Sequence, residues 1–249
     1  MQQVLQERKM EVGATEGEAE KCFSSIPFWK KALSYFYPMR VECTSSSYNP
    51  KLEIYLKQGR YQLCTPNAVY SYGDLYDNFT RTFDAIELDV LDVRKVLVLG
   101  FGLGSVTTIL EKIFEKDYDY TAVEIDQKII DLANKYVLPD IASNISVICD
   151  DALDFVRNCA ERFDMIAVDL FIDDRVPAVF EQQEFLRSIG NLLNKDGVLV
   201  YNRLSFNKKD LAETREFYRD QFSVVFPDCT YLDVDGNWML LNRKDIVKG

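Results

Sequence analysis

The chain contains no histidine among its 249 residues. That absence removes Ser–His and Cys–His nucleophile pairs and leaves proton transfer to Asp, Glu, Tyr, Lys or Cys. It also removes a principal zinc ligand. The six cysteines, at positions 22, 43, 64, 149, 159 and 229, include no C-x-x-C pair, so no metal is expected. No run of about 18 apolar residues occurs, which argues against a membrane-spanning helix and a membrane partner. Positive charge is in short supply: 29 Lys and Arg against 40 Asp and Glu leave a net charge of -11. A nucleic-acid partner is therefore not expected, because phosphate backbones need a basic face. Cationic or neutral small molecules fit better. Cys149, beside an apolar run, and Cys159, in an amphipathic stretch, are expected as buried reduced thiols, and with them a cytoplasmic location.

What is present is enough apolar residue, 47%, for one large domain or a core domain with a small companion. Residues 1–21 are polar, rich in Gln and Glu and without an apolar signal region; 1–24 is expected to be a flexible tail. Residues 25–92 are expected to form a small N-terminal β-hairpin domain with a connecting helix, and 93–249 a nucleoside-binding domain. In the first, 27–37 is aromatic, a short helix whose Phe28, Trp29, Tyr35 and Phe36 belong to core or interface. Strand-like alternation follows at 40–43, 52–56 and 61–64, with Gln58-Gly59 as a tight hairpin turn. Residues 74–88 read as a helix with Leu75, Phe79, Phe83 and Ile86 on one face.

From Lys95 strands alternate with helices, which predicts a mostly parallel sheet. Strands are expected at 96–99, 120–123, 145–148, 165–168 and 198–201, and helices at 105–116, 127–136, 152–159, 182–193 and 209–221. Residues 230–232 and 238–241, around Asp235-Gly236, suggest a closing antiparallel hairpin. The fold class is α/β, Rossmann-like, with a C-terminal antiparallel hairpin and a small N-terminal β unit.

The functional signal lies at the strand ends. The run Val96-Leu97-Val98-Leu99 breaks into Gly100-Phe101-Gly102-Leu103-Gly104-Ser105 and then a helix. The next three strands stop at Glu124, at Asp150-Asp151 and at Asp169. A glycine loop at a helix N-terminus, followed by carboxylates at successive strand ends, is how an open α/β sheet holds a nucleoside. Ser105 stands where a dinucleotide fingerprint has its third glycine, which disfavours a nicotinamide oxidoreductase. Glu124 lies where a ribose-hydroxyl acceptor belongs. Asp126 is expected to cap a helix, and for Asp151 capping and binding are about equally expected.

Together with Val123-Glu124-Ile125-Asp126, Asp150-Asp151-Ala152-Leu153-Asp154-Phe155 and Phe163-Asp164-Met165-Ile166-Ala167-Val168-Asp169, the glycine loop resembles the spermidine synthase family. Upstream, Leu56-Lys57-Gln58-Gly59 and Gln62-Leu63 through Tyr72 resemble that family's hairpin and the segment leading to its acceptor site. The resemblance implies a class I S-adenosylmethionine-type fold, a transferase, and a homodimer. It implies that Gly100, Gly102 and Gly104 admit the nucleoside's tail, that Glu124 accepts both ribose hydroxyls, and that Asp151, with Ala152 after it, takes the adenine amino group. Asp169 would face the sulfonium and the acceptor as catalytic base or amine-orienting group. Tyr72, Asp74 and Asp173 would line the pocket of a small-molecule acceptor, in this family an amine.

The chain departs from the family pattern at three places. Leu103 replaces an acid that pairs with the ammonium of decarboxylated S-adenosylmethionine. The loop after the fourth strand reads Asp169-Leu170-Phe171-Ile172-Asp173-Asp174, with its second acid displaced and apolar bulk inserted. Gly73 replaces a polar residue before Asp74. On the strength of Leu103, ordinary S-adenosylmethionine and methyl transfer are slightly favoured. The alternatives are aminopropyl transfer from decarboxylated S-adenosylmethionine to a polyamine, and a non-catalytic binding or regulatory relative.

Overall fold

The structure is a computed structural model and describes residues 26–66, 68–172, 175–234 and 236–248. The expected tail at 1–24 lies outside the described residues.

The first unit is a four-stranded antiparallel sheet in the order β1 (Met39–Thr44), β2 (Leu52–Lys57), β3 (Arg60–Cys64) and β4 (Val69–Ser71). Lys57 pairs with Arg60 across the expected turn, and Gln58 and Gly59 both take positive φ, 50° and 73°. That backbone matches the twist of a two-residue hairpin. Ahead of the sheet, α1 (Phe28–Leu33) has no buried residue. Phe28, Trp29, Tyr35, Phe36 and Tyr37 are exposed, so the aromatic segment does not belong to the core.

A seven-stranded sheet follows, built from β5 (Lys95–Leu99), β6 (Asp119–Glu124), β7 (Ile145–Cys149), β8 (Phe163–Val168), β9 (Leu193–Leu204), β10 (Thr230–Val234) and β11 (Asn237–Leu241). Its order is β10-β11-β9-β8-β5-β6-β7, parallel from β9 to β7 and antiparallel at the β9, β11, β10 end. The chain runs outward from β5 to β7 and then crosses to β8. The crevice between the C-terminal ends of β5 and β8 is therefore the topological switch point, where open α/β sheets place ligands.

Alternation along β5 divides the core into two layers. Val96 and Val98 join a cluster with α2 (Asp77–Ala85), α3 (Ser105–Lys112) and α4 (Gln127–Tyr136), through Phe79, Phe83, Ile109, Leu110 and Ile129. Leu97 and Leu99 face α5 (Ala152–Asn158), α6 (Gln183–Leu192) and α7 (Lys208–Phe217), through Val156, Phe185, Ile189 and Phe217. Leu52, Ile54 and Leu63 of the smaller sheet sit in the first cluster, so both sheets share one core layer.

Three helices are shorter than the periodicity predicts, each for a local reason. The helix expected at 74–88 begins only at Asp77, because Gly73 has φ +53° and Tyr76 is non-helical at φ -86°, ψ 80°. The helix expected at 105–116 ends at Lys112, ahead of a left-handed Glu115. The one expected at 209–221 is regular to Phe217 and then widens into a π turn over Tyr218–Phe222. Cys149, expected to be buried, is exposed at the end of the outermost parallel strand, and Cys159 is half-buried. All described cysteines are free thiols. Among the described residues no helix is long and apolar enough to cross a membrane, and no cluster of His, Cys, Asp and Glu could hold a metal ion.

Candidate functional site

A cavity of about 680 Å³ opens over the switch point, lined by residues from both sheets. Its floor is the glycine loop. Gly100 has φ +86°, and a Cβ there would stand 2.2 Å from the carbonyl oxygen of Asp169. No side chain fits: β5 and β8 approach so closely that the Asp169 N–H donates to the Leu99 carbonyl at 2.8 Å. Gly102 has φ +56° and lies under the backbone of Tyr70 in β4, which would be 3.3 Å from an added Cβ. Its N–H donates to Glu124 Oε2 at 3.0 Å. Gly104 is the left-handed residue before α3 and does not itself line the cavity.

Glu124 ends β6 and is buried. Its other oxygen, Oε1, accepts the Asp126 N–H at 3.1 Å. Burial pushes its carboxyl above the usual range, while the backbone N–H groups of Gly102, Asp126 and Ile125 pull it back. A carboxylate offers about four acceptor sites, so these three N–H groups leave room for a further donor.

Asp126 caps α4 by accepting the Lys128 N–H at 3.0 Å, as its position predicts. Sequence reasoning missed its second role. Its Oδ2 accepts from Ser46 Oγ and from Asn49 Nδ2, the latter at 2.9 Å, and the Tyr70 hydroxyl donates to Asn49 Oδ1 at 3.2 Å. This network ties the smaller sheet to the end of β6 and sets Asn49 and Tyr70 in the cavity wall. Asp151 caps α5 by accepting the Leu153 N–H at 2.7 Å, and it lines the cavity with Asp150 and Ala152. Ser105, the residue in place of a third glycine, joins the loop to β4 through Ser71 Oγ at 2.6 Å and the Tyr72 N–H at 3.0 Å.

Asp169, after β8, stands opposite the glycine loop. It accepts Asn202 Nδ2 at 2.8 Å on Oδ1, and the Tyr76 hydroxyl hydrogen-bonds to it. Asn202 on β9 is itself held by Asn237 Nδ2 at 2.8 Å. Burial raises the Asp169 carboxyl to about 7; the Asn202 and Tyr76 bonds oppose that rise, and the Glu124 charge adds to it. Tyr76 is raised well above its ordinary value, by burial first and by Asp169 second, so its hydroxyl keeps its proton and donates.

The tyrosine beside Asp169 is thus Tyr76, not Tyr72. Tyr72 points away, donating to Gln58 Oε1 at 2.8 Å under the Lys57 ammonium, and Asp74 is paired with Arg60 at 2.7 Å. Neither lines the cavity. Tyr76-Asp77-Asn78 has the same tyrosine-x-polar spacing four residues later, and spacing alone does not separate the two. Asp173 lies outside the described residues. Leu103 also departs from expectation: it is buried in the core beneath the loop instead of facing the cavity.

The model of the spermine/spermidine synthase domain matches residues 87–239, more than half of the chain. Among curated proteins, a probable polyamine aminopropyl transferase of Bifidobacterium longum is 30% identical over 58% of this chain and 31% of its own length. A polyamine aminopropyltransferase of Vibrio vulnificus is 29% identical over 46% of this chain and 39% of its own. The chain therefore matches only about a third of the length of these two relatives. Among solved structures, spermidine synthase from Thermotoga maritima superposes with a TM-score of 0.62 at 19% identity, covering 82% of this chain and 72% of that one. Human methyltransferase-like protein 13 in complex with SAH gives 0.54 at 21% identity, covering 68% and 81%, and shares the fold. The chain belongs to the spermine/spermidine synthase domain family.

Proposed function

We propose that this protein is an aminopropyltransferase, moving the aminopropyl group of decarboxylated S-adenosylmethionine to a small amine. The observation that carries the reading is Asp169, a carboxyl raised to about 7, held by Asn202 and Tyr76 across a nucleoside-sized cavity from the glycine loop, in a chain of this family. The slight preference for methyl transfer gives way. It rested on Leu103 facing the ligand tail, and Leu103 is a core residue; the named relatives favour aminopropyl transfer.

In this reading Glu124 accepts the ribose hydroxyls, Asp151 with Ala152 holds the adenine edge, and Gly100 and Gly102 let the tail pass close to the backbone. The acceptor nitrogen attacks the propyl carbon bonded to sulfur. The C–S bond breaks with its electron pair left on sulfur, so the sulfonium becomes neutral methylthioadenosine. Asp169 takes the proton the nitrogen sheds. A group titrating near 7 is suited to that task at neutral pH. Alignment within a closed cavity supplies most of the remaining acceleration.

The test is release of methylthioadenosine, together with an aminopropylated amine, from decarboxylated S-adenosylmethionine. Methyl transfer from S-adenosylmethionine to the same amines, with no methylthioadenosine formed, would sink the proposal.

A further inference from the structure

The donor of the proposed reaction ends in a primary ammonium, and the position expected to face its tail does not receive it. Leu103 is uncharged and buried in the core beneath the glycine loop. An ammonium drawn into the cavity without a counter-charge would give up hydration for no partner. A carboxylate elsewhere on the cavity wall must take that place.

Six of the described residues lining the cavity carry a carboxyl. Glu124 is gripped by the N–H groups of Gly102 and Asp126, and Asp169 by Asn202 and Tyr76. Asp150 and Asp151 stand at the end of β7, where they accept the N–H groups of Asp151 and Leu153. Asp210 on α7 accepts Asn207 Nδ2 at 2.8 Å. The sixth, Asp77, is exposed, and its carboxylate has no hydrogen-bond or ion-pair partner among the described residues.

The fold brings Asp77 to the tail. Ser105, just past the glycine loop, accepts the Tyr72 N–H at 3.0 Å, and the turn Gly73–Leu75 packs on α3. Tyr76 then hydrogen-bonds to Asp169. Residues 72 to 76 therefore span the switch point from the end of the glycine loop to Asp169, and Asp77 follows on the cavity wall as the first residue of α2. Asp210 comes after β9, which lies on the other side of β8 from β5 and its glycine loop.

We infer that Asp77 receives the ammonium of the donor's aminopropyl group, the role that an acid at position 103 would have had. This rests on the aminopropyltransferase reading for the identity of the donor. Arg81, one turn further along α2, lines the same cavity and is the cation that a carboxylated tail would meet. The test therefore separates ammonium from carboxylate.

Calorimetry on the full chain compares methylthioadenosine, which has no tail ammonium, with decarboxylated S-adenosylhomocysteine, an unreactive thioether that keeps the aminopropyl group. Asp77→Asn should weaken the second ligand about tenfold, the worth of one charge-assisted hydrogen bond at a solvent-reached carboxylate, and leave the first unchanged. The unchanged affinity for methylthioadenosine, with the thermal transition, shows that the variant is folded. An equal loss for both ligands, or no loss for the aminopropyl ligand, would overturn the inference. So would a selective loss in Asp210→Asn in place of Asp77→Asn. S-adenosylhomocysteine, measured on the wild type, tests the reading beneath it. If it binds more tightly than its decarboxylated counterpart, the aminopropyl donor is removed, while a selective loss in Asp77→Asn still assigns the ammonium to Asp77.

Discussion

Glu124 and Asp169 face each other across one cavity, both at the ends of parallel strands and both raised by burial, yet they are held differently. Glu124 is gripped by backbone N–H groups from Gly102 and Asp126, donors fixed by the fold that favour the charged form. Asp169 receives only the side chains of Asn202 and Tyr76, and it titrates near neutrality. Backbone donors make a carboxylate a permanent acceptor, fit for hydroxyls that stay put. Side-chain donors on a buried acid leave its proton exchangeable. In the reaction proposed here, the difference suits one end of the cavity to holding and the other to proton transfer.

The comparison breaks most sharply at Asp169. Asp169→Asn keeps the Asn202 bond on its carbonyl oxygen but cannot take a proton. Turnover should fall by about 10²–10⁴-fold, the usual worth of a placed general base, with nucleoside affinity unchanged. Steady-state rates and calorimetry with methylthioadenosine read the two quantities. Turnover within threefold of wild type, about 0.6 kcal/mol, would remove Asp169 from the chemistry.

Glu124→Ala should show the opposite pattern, losing affinity first. Two charge-assisted hydrogen bonds to ribose are removed, at a cost of about 2 kcal/mol, or roughly 30-fold in the dissociation constant. Calorimetry with methylthioadenosine measures it in a variant whose fold is checked by its thermal transition. Unchanged affinity would assign Glu124 to holding the glycine loop alone.

The proton exchange at Asp169 is also a stability statement. Its carboxyl lies near 3.8 unfolded and is raised to about 7 in the folded protein. The native state therefore binds a proton more readily than the unfolded chain. That contribution is full below about pH 4 and is lost as pH rises through 7. Asp169→Asn has no such loss, so its stability relative to wild type should climb across that window. Asp169 keeps some exposure to the cavity, and the gain is set at about 1–3 kcal/mol by pH 8 after that discount. Urea titrations of both proteins at pH 5 and pH 8 measure the difference. A gap independent of pH would show that the acid is ionised throughout.

Much of this was legible in the sequence, and the failures share a cause. Strand periods, the glycine loop and the strand-end acids are local patterns, and the mostly parallel sheet with its closing hairpin, the caps at Asp126 and Asp151 and the cavity position of Glu124 followed from them. What escaped depends on contacts distant in the chain. Asn49 reaches Asp126 across 77 residues, and Asn202 reaches Asp169 across 33. The choice between Tyr72 and Tyr76 turned on a backbone break at Gly73 that motif spacing does not report. Leu103 misled because a side chain's direction from a tight loop is fixed by packing: the loop turns position 103 into the core.

The finest test of the contrast between the two carboxyls is Tyr76→Phe. The Tyr76 hydroxyl lowers the Asp169 carboxyl by hydrogen bonding to its charged form, against a burial that raises it. Phenylalanine keeps the ring that stacks on Phe79, at 6.0 Å between centroids, and removes that bond together with the hydroxyl's bond to Asn78. One charge-assisted hydrogen bond is worth about 1.5 kcal/mol, or roughly one pH unit. The midpoint of the ascending limb of the rate profile should therefore move from near 7 to near 8, about one unit higher. At pH 7 turnover should drop about fivefold, and by pH 9 it should return close to the wild-type plateau, because the base is intact once ionised. A purely structural role for Tyr76 would lower the plateau and leave the midpoint in place.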